Sequence, residues 1–234
     1  MKNSLNYENF LVARPLWAYF EDCKYGIPMM WETKLSKERA SFARLLSFRH
    51  VASSPELKNA IIEYFAFDCD LESVWRNPFT NLGKLRKAAA VLNPDFSITP
   101  SMKEAQVIEN TFKNRWMSCF WQQNSLDSIA TASWGEPWTY EICLQGLRAG
   151  NPFAVSTIGV KDERMFLDGY AYFFQKLRPS YVVCYGKVIN GMRGSIIPFA
   201  YEEAWRPNKH YEQLKLFTLP RCLEIGLEDK ENGR

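Results

Sequence analysis

The chain predicts an α/β fold: an open, mostly parallel sheet flanked by helices on both faces, with an N-terminal helical extension. Three observations carry this. Short apolar runs at Ala88–Leu92, Ser128–Ala132, Phe153–Ile158 and Tyr181–Tyr185 show little polar alternation, as parallel strands buried on both faces require. The runs give way to turns rich in Gly, Pro, Asn or Ser. Between them lie segments with apolar residues every three to four positions, the period of a helix with one buried face. Strand–helix alternation repeated five times argues for a parallel sheet with right-handed crossovers, which put all strand C-termini on one edge.

The elements follow in order. Residues 1–50 lack this rhythm and read as a helical extension packed on the core. Within them Lys34 to Phe48 is predicted helical, with Leu35, Ala40, Ala43, Leu45 and Leu46 sharing a stripe. Ser54-Pro55-Glu56 reads as a helix start, and Ile61 to Phe67 as a strand. Asp70 can cap a helix over Leu71–Trp75, stopped by Pro78, and Asn81 to Ala89 makes another helical piece. The central strand around Val91–Leu92 breaks at Asn93-Pro94. Ser101-x-x-Glu104 reads as a capping box for a long helix carrying Ala105, Ile108, Phe112, Trp116 and Phe120. Pro137 starts a helix closing at Gly150, Asp162-Glu163 lead a helix over Met165–Leu177, and Ser195–Phe199 adds a last strand. The core domain spans 51–227, and 228–234 is a frayed tail.

Composition bounds the function. With 234 residues, 47% of them apolar, the chain has material for a full-sized core. A net charge of +3 is compatible with nucleic acid but is no basic stripe. Six cysteines form no Cys-x-x-Cys pair, so neither a zinc site nor a redox dithiol is expected, and no metal or cofactor is assigned. The N-terminus has no apolar leader core, and no run approaches the length of a membrane span. A soluble, cytoplasmic protein is the expectation.

The C-terminal edge of the sheet would gather Asp68, Asp70, Asp95, Phe96, Ser133, Trp134, Glu136, Thr157, Gly159, Tyr185 and Lys187. In open α/β sheets ligands bind there. Asp95, on the turn after the central strand, is the catalytic candidate, with an Asp turn bond or helix cap as its competing role. Phe96 and Trp134 are candidates to sandwich a flipped base. Asn93, Gln123 and Asn124 carry the donor–acceptor pairs that read a base edge, and Glu136 and Thr157 complete the substrate-binding set. For Asn124, helix C-capping is the simpler role. Lys113, Arg115, Lys187 and Arg193 are candidates for DNA phosphates.

Asp70-Leu-Glu-Ser-Val-Trp-Arg-Asn-Pro78, Asn93-Pro-Asp-Phe-Ser97, Asn114-Arg115 leading to Trp121-Gln-Gln-Asn124, Trp134-Gly-Glu136, Tyr140-Glu-Ile-Cys-Leu-Gln-Gly146, Val155-Ser-Thr-Ile-Gly159 and Tyr185-Gly186 make up a recurring set of motifs. On these pieces the chain from Asp68 to about Trp205 resembles an uncharacterised domain family of phages, prophages and other mobile elements. The resemblance implies a setting of phage–host conflict and no activity. The strand order also resembles the uracil-DNA-glycosylase superfamily, in which an Asp beyond the first core strand orients water and a late His stabilises the leaving base. Here Pro94-Asp95 takes the first position. The second is Ile197-Pro198-Phe199, without His.

These readings converge on a DNA-acting enzyme, most concretely a glycosylase that flips out and hydrolyses off a base, ordinary or modified, through an oxocarbenium-like state. A metal-dependent nuclease using Asp68, Asp70, Asp95 and Glu136 is the second reading. A non-catalytic binding protein of a phage or mobile element is the third.

Overall fold

The computed structural model describes residues 7–201, 204 and 220–226. The tail 228–234 and Trp205 lie outside the described residues. Among the described residues eight strands form one sheet in sequential order: β1 Arg44–Ser47, β2 Ala60–Glu63, β3 Ala90–Leu92, β4 Ser128–Thr131, β5 Phe153–Ser156, β6 Val182–Tyr185, β7 Gly194–Phe199 and β8 Leu223–Ile225. Neighbours from β1 to β7 pair in parallel, and β8 joins β7 antiparallel. The helices are α1 Tyr7–Ala13, α2 Lys37–Ser41, α3 Asp68–Arg76, α4 Leu82–Leu85, α5 Glu104–Gln123, α6 Tyr140–Cys143 and α7 Glu163–Leu177. The α/β class, the parallel sheet and the four central strands are as the apolar runs predict.

The sheet curls. Residues just before β1 reach β8 at the other edge: the Arg221 backbone N–H donates to the Ser41 carbonyl at 3.2 Å, and Lys37 Nζ lies 3.0 Å from Glu224 Oε1. Alternation along each strand then separates two faces. Outward side chains such as Leu46, Ile62, Val91, Ala130, Val155 and Cys184 pack beneath α5, α6 and α7. Inward ones, Leu45, Ile61, Leu92, Ile129, Ala154, Val183 and Ile197, fill the curl with one another and with Leu35 and Ala40 of α2 and its approach. Helices thus cover both faces, but unequally. Tyr181 donates its hydroxyl to the Leu35 carbonyl at 2.7 Å, tying that plug to the N-terminal end of β6. The opposite end, where the strands finish, is left for a site.

Several local expectations are corrected. The helix predicted over Lys34–Phe48 stops at Ser41, and Arg44–Ser47 is the edge strand β1; the leucine spacing fits either element, and pairing with β2 decides. Ser54-Pro55-Glu56 opens no helix, because the chain must extend to enter β2. Asp70 lies in the first turn of α3 rather than at its cap. The long helix begins at Glu104, where the Gln106 side chain accepts the Lys103 N–H at 2.8 Å, displacing the Ser101 box. Beyond Pro137 the helix is brief, a 3-10 turn and then α6.

Candidate active site

The last inward residue of most strands is polar: Ser47 on β1, Glu63 on β2, Thr131 on β4, Ser156 on β5 and Tyr185 on β6. An apolar barrel-like interior therefore ends in a polar ring at the strand C-termini. Two cavities open on it. The first, about 350 Å³, is lined by Arg49, Phe65, Phe67, Tyr185, Tyr201 and Ile158 among others. The second, about 490 Å³, is lined by Thr99, Ser133, Trp134, Lys161, Asp162 and Phe166 among others. Asp95 and Ser156 line both.

Asp95 reaches this point because Asn93-Pro94 ends β3. Asn93 is wholly buried; its Oδ1 accepts the Thr131 N–H at 2.7 Å and its amide donates to the Pro94 carbonyl at 2.6 Å. These bonds fix the turn and leave Asn93 no edge for reading a base. Asp95 Oδ1 is inaccessible to solvent and without a hydrogen-bond partner among the described residues. Burial pushes the carboxyl up to about 6; the neighbouring Asp68 adds to this, while the Ser133 hydroxyl and Arg115 charge oppose it. A carboxyl held near neutrality in a cleft suits proton transfer.

Glu63 is a second carboxyl held near neutrality, buried behind the cavities rather than lining them, and the sequence reading missed it. It is 0% exposed, Oε1 has no hydrogen-bond partner among the described residues, and Oε2 accepts the Phe65 N–H at 2.6 Å. Burial pushes it up to about 7, against hydrogen bonds from Ser47 and Phe65 and the charge of Arg49. The signal available was a lone acid inside an otherwise apolar and aromatic run. Phe65, fixed by that bond, stacks on Tyr185 with centroids 5.4 Å apart, and Tyr185 on Tyr201 at 6.1 Å. Together they form a stepped aromatic wall.

The other expected site residues divide. Trp134 lines the second cavity but leans on Phe166 and Phe173, while Phe96 is core, 1% exposed, in a different cluster; the two make no sandwich. Thr157 donates its hydroxyl to the Lys187 carbonyl at 2.8 Å, so it ties two loops. Gly186 makes this possible: its φ is +108°, and a β-carbon there would stand 2.4 Å from Thr157 Oγ1. Glu136 accepts from Trp138 Nε1 at 3.0 Å. Gln123 accepts the N–H groups of Trp17 and Ala18, and Asn124 caps α5. Both sit at the far end of α5, away from the cleft, because a crossover helix runs opposite to its strands.

The phosphate candidates are corrected in the same way. Arg115 is 2% exposed and donates to the carbonyls of Gln145, Thr131 and Cys143 at 3.0, 3.1 and 2.9 Å. It is an internal clamp. Lys113 is paired to Glu72 and Glu109 at 2.8 and 3.0 Å. Lys187 follows β6 on the cleft edge, whereas Arg193 precedes β7 on the opposite edge. Of the acids considered for a metal, Asp68 accepts from Ser97 and Asp70 is paired with Arg49. Among the described residues no three potential ligands are gathered.

Comparison with known proteins adds a family without an assigned activity. Residues 19–202 match the domain of unknown function DUF4417. The chain belongs to that family. Its members' name assigns no chemistry, and the match begins at Tyr19, within the N-terminal extension. The Gene 1 protein of Mycobacterium phage L5 is 28% identical over 131 residues, covering 54% of this chain and 57% of the phage protein. The Gene 1 protein of Mycobacterium phage D29 is 28% identical over 131 residues, 54% of this chain and 48% of its own length. The chain thus spans about half the length of these curated relatives. No solved structure matches it. No helix among the described residues is long and apolar enough to cross a membrane.

Proposed function

We propose that the chain is a hydrolase working at the mouth of the curled sheet, most concretely a DNA glycosylase that removes a base drawn into the cleft. The observation carrying this reading is Asp95: a carboxyl with a buried, unpartnered oxygen, raised to about 6, standing where two cavities meet. Ionised at neutral pH, it accepts a proton from water as the water oxygen bonds to the sugar carbon. The bond from that carbon to the base nitrogen breaks, and the base leaves with the electron pair. The fixed negative charge also stabilises the oxocarbenium-like state. The wall of Phe65, Tyr185 and Tyr201 offers stacking for a planar leaving group. Relatives in two mycobacteriophages fit a setting in which phage DNA is the substrate, met in the cytoplasm.

The test is base release from phage-type DNA in EDTA. Abasic sites are expected, and Asp95→Asn should lower their rate by about 10²–10⁴-fold while the protein stays folded. Strand breaks that stop in EDTA would instead assign a metal-dependent nuclease. Neither product would leave a binding protein.

A further inference from the structure

We infer that the two cavities hold the two halves of one nucleotide unit, the base against Phe65, Tyr185 and Tyr201 and the 5′-phosphate beside Lys161. This rests on the reading of Asp95 as the reacting group, and it assigns the substrate class and its direction in the site. Asp95 and Ser156 line both cavities, so a ligand filling both must pass over Asp95. Their linings differ in kind. The first is aromatic, and the one cation lining it among the described residues, Arg49, is already paired with Asp70. The second carries the hydroxyls of Thr99 and Ser133 and the exposed Lys161, which has no ion pair among the described residues. The acid also lining it, Asp162, is turned to its own helix and accepts the Met165 N–H at 3.0 Å. Asp95 is common to both linings, so the difference lies in the donors: the second cavity offers an accessible ammonium and two hydroxyls that suit a phosphate, and the first offers aromatic faces that suit a flat, neutral ring. A base joined through a sugar to a 5′-phosphate has this order of parts, and its glycosidic bond falls between the lobes, at Asp95.

Calorimetric titration of the full chain with the four deoxynucleosides and their 5′-monophosphates tests this apart from catalysis. For at least one base, the phosphate should tighten binding about tenfold. Lys161→Gln should erase that gain and leave nucleoside binding unchanged. Tyr201→Leu should weaken nucleoside and monophosphate by the same factor. A short single strand that binds tighter than the mononucleotide identifies DNA as the source of the unit; equal binding identifies free nucleotide. The proposal is overturned if no nucleoside or nucleotide binds, or if the phosphate gain survives Lys161→Gln. Should this binding pattern hold while no base is released, the substrate assignment stands and the role given to Asp95 falls.

Discussion

The indole of Trp134 lies against the backbone of Gly169, so close that a β-carbon on that glycine would stand 2.1 Å from Nε1. Trp134 belongs to the loop after β4, and Gly169 to the buried face of α7. The contact therefore sets how closely α7 approaches the second cavity. Alanine is the better helix former by about 1 kcal/mol, but here it must push a large ring off Phe166 and Phe173. Gly169→Ala should lower stability by about 1–3 kcal/mol, the usual range for overpacking. Urea denaturation decides, since a gain in stability would mean that the ring moves freely.

Arg115 gives a contrast between two expectations. A phosphate contact would cost DNA affinity when lost, and would flatten its salt dependence. A clamp on three buried carbonyls would cost stability. Its bonds to Gln145, Thr131 and Cys143 assign the second. Arg115→Ala should destabilise by about 3–5 kcal/mol, and Arg115→Lys should recover only part, because an ammonium lacks the planar fork. Thermal unfolding of both variants measures this.

The same residue shows where the sequence was legible and where it was not. The strands through Val91, Ile129, Ala154 and Val183 were readable because burial on both faces leaves an apolar run. The place of Asp95 just beyond a strand end was readable because Asn93-Pro94 must end a strand. Arg115 was misread because helical spacing gives a residue's face only when the neighbouring layers are known, and here α6 covers it. Glu63 was hidden inside an aromatic run, although an acid there needs a reason. Lys187 and Arg193 looked adjacent, but the eight residues 186–193 carry the chain from one edge of the sheet to the other.

Glu63 should govern part of the pH dependence of stability. Its ordinary value is 4.5 and its folded value about 7. Below 4.5 both states hold the proton, and the buried group costs nothing extra. Between 4.5 and 7 the unfolded chain releases its proton first, so stability falls as pH rises. Above 7 the loss is complete, on the order of 3 kcal/mol. Asp95, raised from 3.8 to about 6, acts in the same direction. Glu63→Gln should therefore stabilise the protein at pH 8 by about 1–3 kcal/mol and change little at pH 4. Denaturation at the two pH values tests it, and equal effects at both would remove Glu63 as the source.

Catalysis should depend on pH with the opposite sense. A proton-accepting Asp95 must be ionised, and its folded value near 6 sets the midpoint. Base release should be flat above about pH 7 and fall about tenfold per unit below 6. The acid limb thus belongs to a range in which Glu63 and Asp95 make the fold more stable, so lost activity there is not lost structure. Circular dichroism at pH 5 separates the two, with an intact fold and a slow rate as the expected pair. Asp95→Asn should abolish the acid limb along with most of the rate. A residual rate in Asp95→Asn that still falls below pH 6 would place the titrating group elsewhere, and Glu63→Gln is then the variant whose profile should flatten.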